Sequence, residues 1–303
     1  MDAEAALAAT QKIQGRGPSR ERHTGAGHEP RDGAPFQPPT GKVAVFSMDG
    51  LNQTTVAILA GGAGIKLRSV GGDRPKSLST VLGKPFLAYQ LEQVATAGAR
   101  KIILCTGQMG EAIEALFGNR YGQLELVYSR ENEPLGTAGA LRLTLPLVDT
   151  ENVMVMNGDS YCRTDLKMFR TWHALNRFSA SILLAKVDNT SRYARVETDN
   201  ARRVLHFINK GTSIGRGWVN AGVYLMSREL LSTIPANRAV SLERDLFPAL
   251  VEHGLFALRT SGDFFHIDTP ESYQEAERIF TKIAAHASQL SASGSQTQRK
   301  LSL

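Results

Sequence analysis

Apolar residues recur along this chain in two rhythms. Short continuous apolar runs at 56–59, 101–106, 124–129, 153–156 and 181–186 read as strands covered on both faces. Between them, helical spacing appears at 85–97, 111–117, 137–145 and 165–176. The first helix carries Pro85 in its opening turn and Gly98 just past its end, and Gly118 stops the second. The second half is richer in strands, at 194–197, 204–209 and 219–226, then returns to helix at 242–251 and 271–285. Alternation of this kind predicts an α/β fold with a mostly parallel, mixed sheet covered on both faces. No internal repeat interrupts it.

In such a sheet, ligands lie in the crevice beyond the carboxyl ends of the strands. A glycine-rich turn, Gly61-Gly62-Ala63-Gly64, follows the first strand; Asp159 follows the run 153–156, and Asp268 follows the short run 264–267. Three segments remote in sequence are thereby expected at one edge. The flanks are different in character. Residues 1–50 are rich in Gly, Pro, Gln, Arg and Glu and are expected to be a disordered extension, with Met48 as an alternative start just before the first strand. Residues 51–287 form the expected folded domain, and 288–303 a flexible, Ser/Gln/Ala-rich tail.

Charge narrows the partners. The 303 residues carry a net charge of +6 with a sequence pI of about 9.4. Residues 1–50 hold six Lys/Arg and six Asp/Glu, and Lys282, Arg299 and Lys300 stand at the far end without acids. The remaining excess is spread over the body with no basic run, which argues against nucleic acid and suits a phosphate-bearing small-molecule site. Two cysteines, Cys105 and Cys162, sit in apolar strand contexts and read as buried thiols. Without a signal pattern or an apolar stretch of spanning length, no membrane is expected and the cytoplasm is the expected compartment. A homo-oligomer remains open. The histidines show no metal-ligand spacing and read as surface or packing residues.

The glycine turn carries the most specific chemistry. Glycine lets backbone approach a ligand closely, successive N–H groups make an anion cradle, and Lys66 and Lys76 supply counter-charge. It is not a Walker A loop, because Gly83-Lys84 is followed by Pro85. It is not a dinucleotide fingerprint either, because Leu67 stands where the third glycine read from Gly62 would be. Polyphosphate of another kind is implied.

Leu59-Ala60-Gly61-Gly62-x-Gly64-x-Lys66-Leu67, then Pro75-Lys76 and Gly83-Lys84-Pro85, resembles the signature of the sugar-phosphate nucleotidylyltransferases. Glu133-Pro134-Leu135-Gly136-Thr137-Ala138-Gly139, Asn157-Gly158-Asp159, Trp218-Val219-Asn220-Ala221-Gly222, Ser241-Leu242-Glu243-Arg244-Asp245 and Ile267-Asp268-Thr269-Pro270 follow in the family's order. The subgroup most resembled transfers guanylyl groups to D-glycero-D-manno-heptose 1-phosphate. The resemblance implies a Rossmann-like three-layer sandwich of the nucleotidyltransferase type, a nucleoside triphosphate and a sugar 1-phosphate as substrates, and Mg²⁺ as cofactor.

Residue by residue, it implies phosphate contacts and catalysis at Lys66, Lys76 and Asp159, and nucleotide binding by Leu59, Ala60, Gly61, Gly62, Gly64, Glu133, Gly136, Thr137 and Gly158. It places the sugar phosphate on Lys210, Asn220, Gly222, Glu243 and Asp245, and Mg²⁺ on Asp159 and Asp268. Bland alternatives stand beside these. Asp159 closes a turn, Asp268 caps the helix at Pro270, Glu243 and Asp245 complement a helix dipole, and Gly222 marks a sheet irregularity. The chain departs from the family at Ile65-Lys66, where Thr-Arg is usual, and at Asn209, where Glu is usual. Those departures keep a non-catalytic nucleotide-sugar sensor in view, alongside the same transfer with UTP, CTP or dTTP and a hexose 1-phosphate. A metal-dependent glycosyltransferase would need an Asp-x-Asp motif, and the chain has none.

Overall fold

The computed structural model describes residues 50–62, 75–107, 109–283 and 285. The chain divides into Met1–Met48 and Asp49–Leu303, and all described residues belong to the second unit. Apart from Gly50, the expected N-terminal extension lies outside the described residues, as do the C-terminal tail, Gly64 and Lys66.

Among the described residues ten strands form one mixed sheet, the shortest of them, Arg120–Tyr121, pairing antiparallel at its outer edge with Leu124–Arg130. Its first half is parallel: β1 (Thr55–Leu59) lies between β2 (Lys101–Thr106) and β4 (Asn152–Asn157), and β3 (Leu124–Arg130) lies outside β2. These are the apolar runs read from the sequence, and all seven residues of Val153–Met156 and Ile102–Leu104 are buried, as strands covered on both faces require. Helices α1 (Phe86–Thr96), α2 (Gly110–Phe117) and α3 (Gly136–Leu143) supply the crossovers.

The second half is built around β9 (Gly217–Ser227), which runs antiparallel to β4 and to β6 (Ala180–Val187) and touches β7 (Arg195–Thr198). β8 (Val204–Ile208) closes one edge beyond β7, and β10 (Phe256–Thr260) runs parallel to β6. A small ribbon of β5 (Ser160–Cys162) and β11 (Phe264–His266) stands beside the main sheet. Helices α4 (Leu166–Leu175), α5 (Arg228–Thr233) and α6 (Phe247–His253), with α7 over 270–283, complete the layers. The two faces of the sheet carry separate apolar clusters, one centred on Val56, Ile58, Met154 and Phe169 and the other on Ala57, Val155, Tyr224 and Phe247. A third, aromatic cluster seats α7: Phe280 packs against Phe86, Tyr89, Tyr161 and Phe265. Among the described residues no helix is long and apolar enough to cross a membrane.

One expected helix is divided. Residues 242–251 begin as a π-helical turn, Leu242–Leu246, before α6. Pro248 has no N–H for the regular ladder, while Asp245 and Leu246 both donate backbone N–H to Ser241 O. Cys105 and Cys162 are buried and free, and burial pushes both thiols up to about 12.

His173, on α4, is buried with Nδ1 2.7 Å from Ser181 Oγ and Nε2 3.2 Å from Asn152 Oδ1. Burial pulls its pKa from 6.5 down to about 4, so the folded state holds it neutral. Its contribution is complete above the unfolded value and is lost as pH falls towards the folded one. At about 1.4 kcal/mol per pH unit, stability should drop by about 2 kcal/mol between about pH 6.5 and pH 5. Urea unfolding of the wild type and of His173→Gln over that range tests this; equal slopes would remove His173 as the cause.

Candidate active site

The four parallel strands β1–β4 end on one edge; the residues that follow β1 and β4 belong to the expected site, whereas Gly107 and Glu131, after β2 and β3, were not among the expected residues. After β1 come Ala60, Gly61 and Gly62; after β2, Gly107; after β3, Glu131; after β4, Gly158 and Asp159. A cleft of about 260 Å³ opens there, lined by Ala60, Gly61, Gly62, Gly107, Glu131 and Glu133 among others. The backbones crowd closely. A Cβ on Gly61 would lie 2.9 Å from Gly107 N, and one on Gly158 only 2.5 Å from Leu59 O. Gly158 N–H donates to that same carbonyl at 3.0 Å, which locks the Asn157-Gly158-Asp159 turn onto the end of β1. Among the described residues nothing stands within 4 Å of where a Cβ on Gly62 would lie.

Asp159 does more than close its turn. Lys76 Nζ lies 3.0 Å from Asp159 Oδ2, joining two motifs 83 residues apart. Gln90 of α1 donates through Nε2 to the carbonyls of Asn157 and Ser160, both at 2.8 Å, and so fixes the backbone on each side of Asp159. Ile267 N–H donates to Asp159 O at 2.8 Å and brings the Asp268 segment alongside.

The Asp268 carboxylate is not the helix cap. Ser272 N–H is capped by Thr269 Oγ1, while Asp268 Oδ1 lies 3.3 Å from Arg192 Nη2 and 2.9 Å from His266 Nε2. Burial by itself raises the Asp268 carboxyl, but His266, Arg192, Lys210 and Lys76 more than offset this and hold it below its ordinary value. For His266 burial dominates and lowers the imidazole, against the pull of Asp268 and Asp159. Lys76, Asp159, Lys210, Arg192, His266 and Asp268 therefore share one electrostatic neighbourhood. His266 packs against Tyr193, as a packing residue would, and in addition its Nε2 lies 2.9 Å from Asp268 Oδ1, a contact the sequence reading of the histidines did not include. Arg192 carried no sequence signal, because its approach depends on how the 188–194 loop packs against 266–269.

Other expected residues are drawn into the protein's own framework. Gly136 (φ +69°) packs on the Val240 carbonyl, and Thr137 Oγ1 accepts from Leu242 N–H and donates to Glu243 Oε2. Asp245 accepts the Ser241 N–H at 2.7 Å, so both acids serve the start of the 242–253 helical segment. Asn220 donates to Tyr224 OH and accepts from Gly222 N–H. Gly222 lies in a bulge between Asn220 and Tyr224 at φ +71°, and a Cβ there would meet Ser160 Oγ at 2.3 Å. The close approach it permits is to Ser160 of the same chain. Lys210 is exposed, and Glu133 stands at the rim of the cleft.

The donor set suits a hard divalent cation. Two carboxylates are present, and the buried Asn157 Oδ1, at the end of β4, has no hydrogen-bond partner among the described residues. Among the described residues no three His, Cys, Asp or Glu side chains converge to hold a metal by themselves. Mg²⁺ typically takes one or two carboxylates and completes its shell with phosphate oxygens and water, so such a cation fits if it arrives with substrate.

Comparison with known proteins agrees. Residues 55–282 match the profile of the family described as Nucleotidyl transferase. D-glycero-alpha-D-manno-heptose 1-phosphate guanylyltransferase of Aneurinibacillus thermoaerophilus is 32% identical over 222 residues, covering 73% of this chain and 96% of that protein. Mannose-1-phosphate guanylyltransferase of Mycobacterium tuberculosis is 31% identical over 226 residues, covering 73% of this chain, which thus spans only 63% of that longer relative. HddC from Yersinia pseudotuberculosis, solved in complex with GMP-PN, superposes with a TM-score of 0.68 at 32% identity, over 75% of this chain and 99% of HddC. With its parallel strand ends, glycine cleft and paired Lys76–Asp159 all inside the matched span, the chain belongs to the nucleotidyl transferase family.

Proposed function

We propose that this chain transfers GMP from GTP to a sugar 1-phosphate of the heptose or mannose class, releasing pyrophosphate. The observation that carries the reading is the meeting of the glycine turn with Lys76 and Asp159, and through the Ile267–Asp159 hydrogen bond with the Asp268 segment, at one edge of the sheet. A sugar-phosphate oxygen bonds to the α-phosphorus while the bond from that phosphorus to the bridging β-oxygen breaks, and pyrophosphate leaves in line. Such a transfer needs positioning and positive charge and no protein nucleophile. Gly61 and Gly62 admit the triphosphate against backbone, Lys76 serves the α-phosphate, and Lys210 the sugar phosphate. Asp159 and Asp268 would hold Mg²⁺, which neutralises charge on the phosphoryl oxygens when bound.

Base choice fits the acids of the cleft. Glu131 Oε2 accepts from Leu135 N–H at 3.0 Å, and its other oxygen faces Gly61 and Gly107. Guanine presents N1–H and N2–H donors that Glu131 or Glu133 can accept. The relatives named above carry guanylyltransferase names, which supports the same choice.

A pyrophosphate-release assay of the four nucleoside triphosphates against heptose, mannose and glucose 1-phosphates tests this. GTP with a heptose or mannose 1-phosphate should give the fastest release. A preference for another base overturns the guanine assignment, and no release with any pair favours the sensor. Lys66→Ala should raise KM for GTP and lower kcat together, because one charge would serve bound triphosphate and departing pyrophosphate. Both parameters at wild-type values would remove Lys66 from the phosphate site.

A further inference from the structure

Both carboxylates assigned to the cation are already engaged by bases of this chain. Lys76 Nζ sits 3.0 Å from Asp159 Oδ2, and Arg192 Nη2 sits 3.3 Å from Asp268 Oδ1 while also donating to Thr269 Oγ1 at 3.0 Å. Neither base is trapped: the Lys76 side chain is 19% exposed and that of Arg192 40%. Both end long flexible stems, and ammonium and guanidinium groups bind phosphate as readily as carboxylate. A divalent ion entering beside them would meet a like charge a few ångströms away, one of the strongest effects available at a partly solvated site. By contrast, Lys210 makes no hydrogen bond or ion pair with another described residue, although its charge is felt at Asp268.

We propose that Lys76 and Arg192 are place-holding counter-ions, each occupying a carboxylate that the divalent cation needs and leaving it for a substrate phosphate. The carboxylates then pass to the cation as the phosphates take the bases, so cation and phosphate enter together and the substrate-free protein holds the cation poorly. Arg192 thereby joins Lys76 and Lys210 as a phosphate-binding residue. The exchange rests on the assignment of Asp159 and Asp268 as the cation's carboxylates, and coupling of this kind is reciprocal between the two ligands.

The test is a titration of the full substrate-free chain with Mn²⁺, free ion being read by electron paramagnetic resonance, for the wild type, Lys76→Met, Arg192→Met, Asp159→Asn and Asp268→Asn. Each methionine variant should bind Mn²⁺ about tenfold more tightly than wild type, and each asparagine variant more weakly. Added inorganic phosphate should tighten Mn²⁺ on the wild type and lose that effect in the methionine variants. Methionine variants that bind no tighter, beside asparagine variants that bind more weakly, overturn the exchange and leave the carboxylate assignment standing. Asparagine variants that bind like wild type overturn both. Tightening in one methionine variant alone confines the exchange to that carboxylate and overturns it at the other. Should Lys76→Met fail to fold, the more exposed Arg192→Met, with Asp268→Asn as its control, decides the matter.

Discussion

Asp159→Asn is expected to lower kcat by about 10²–10³ while leaving the fold intact, the usual size of effect when one well-placed electrostatic group is removed from a transfer site. The substitution keeps shape and removes a charge. What it breaks structurally is the contact with Lys76, whose partners are 19% and 37% exposed, and pairs of that kind contribute about 0–1 kcal/mol. The backbone of the turn is held independently by Gln90 and by the Gly158–Leu59 hydrogen bond, neither of which involves the carboxylate. A melting temperature near that of the wild type together with the loss of turnover therefore separates chemistry from folding. Turnover near wild type at saturating Mg²⁺ would remove Asp159 from the cation site.

Gly222→Ala is expected to be the most damaging single methyl group in the sheet. Its φ of +71° is strained for any L side chain, and the added carbon would stand 2.3 Å from Ser160 Oγ and 3.1 Å from Asn157 Cβ. Together these should cost about 3 kcal/mol, in the upper range for point substitutions. Chemical denaturation measures it, and Ser160→Gly supplies a control. In the double variant the steric part should return while the backbone strain persists, so the two changes will not add. Additive losses would show that the strain is entirely in the backbone.

The strands were legible wherever both faces are buried, because a continuous apolar run needs no partner to be recognised. The run 101–106 coincides with β2, and 153–156 falls within β4. The three-residue β5 and the half-polar β10 escaped, being too short or too mixed for any period to show. The 242–251 helix was legible as helix but not as a π-turn, which depends on the Asp245 carboxylate reaching back to Ser241. Within the site, Asp159, Lys76 and the glycine turn announced themselves through local spacing. Arg192 and His266 did not, since their relevance comes from side chains meeting across 76 residues in one case and from burial in the other. Thr137 and Glu243 were legible as individual residues, yet their hydrogen bond to one another spans 106 residues and could not be read locally.

The central place of β9 also governs how the chain must be made. β4 is complete at Asn157, but the neighbour that covers its far edge, Val223–Ser227, is synthesised about 65 residues later. Throughout that interval a nascent chain presents the unpaired edge of a Val-Met-Val-Met strand, the kind of surface that recruits other strands. Ribosome stalling or truncation between these points is therefore when the polypeptide is most prone to aggregate, and a chaperone with affinity for extended apolar segments would find its target there.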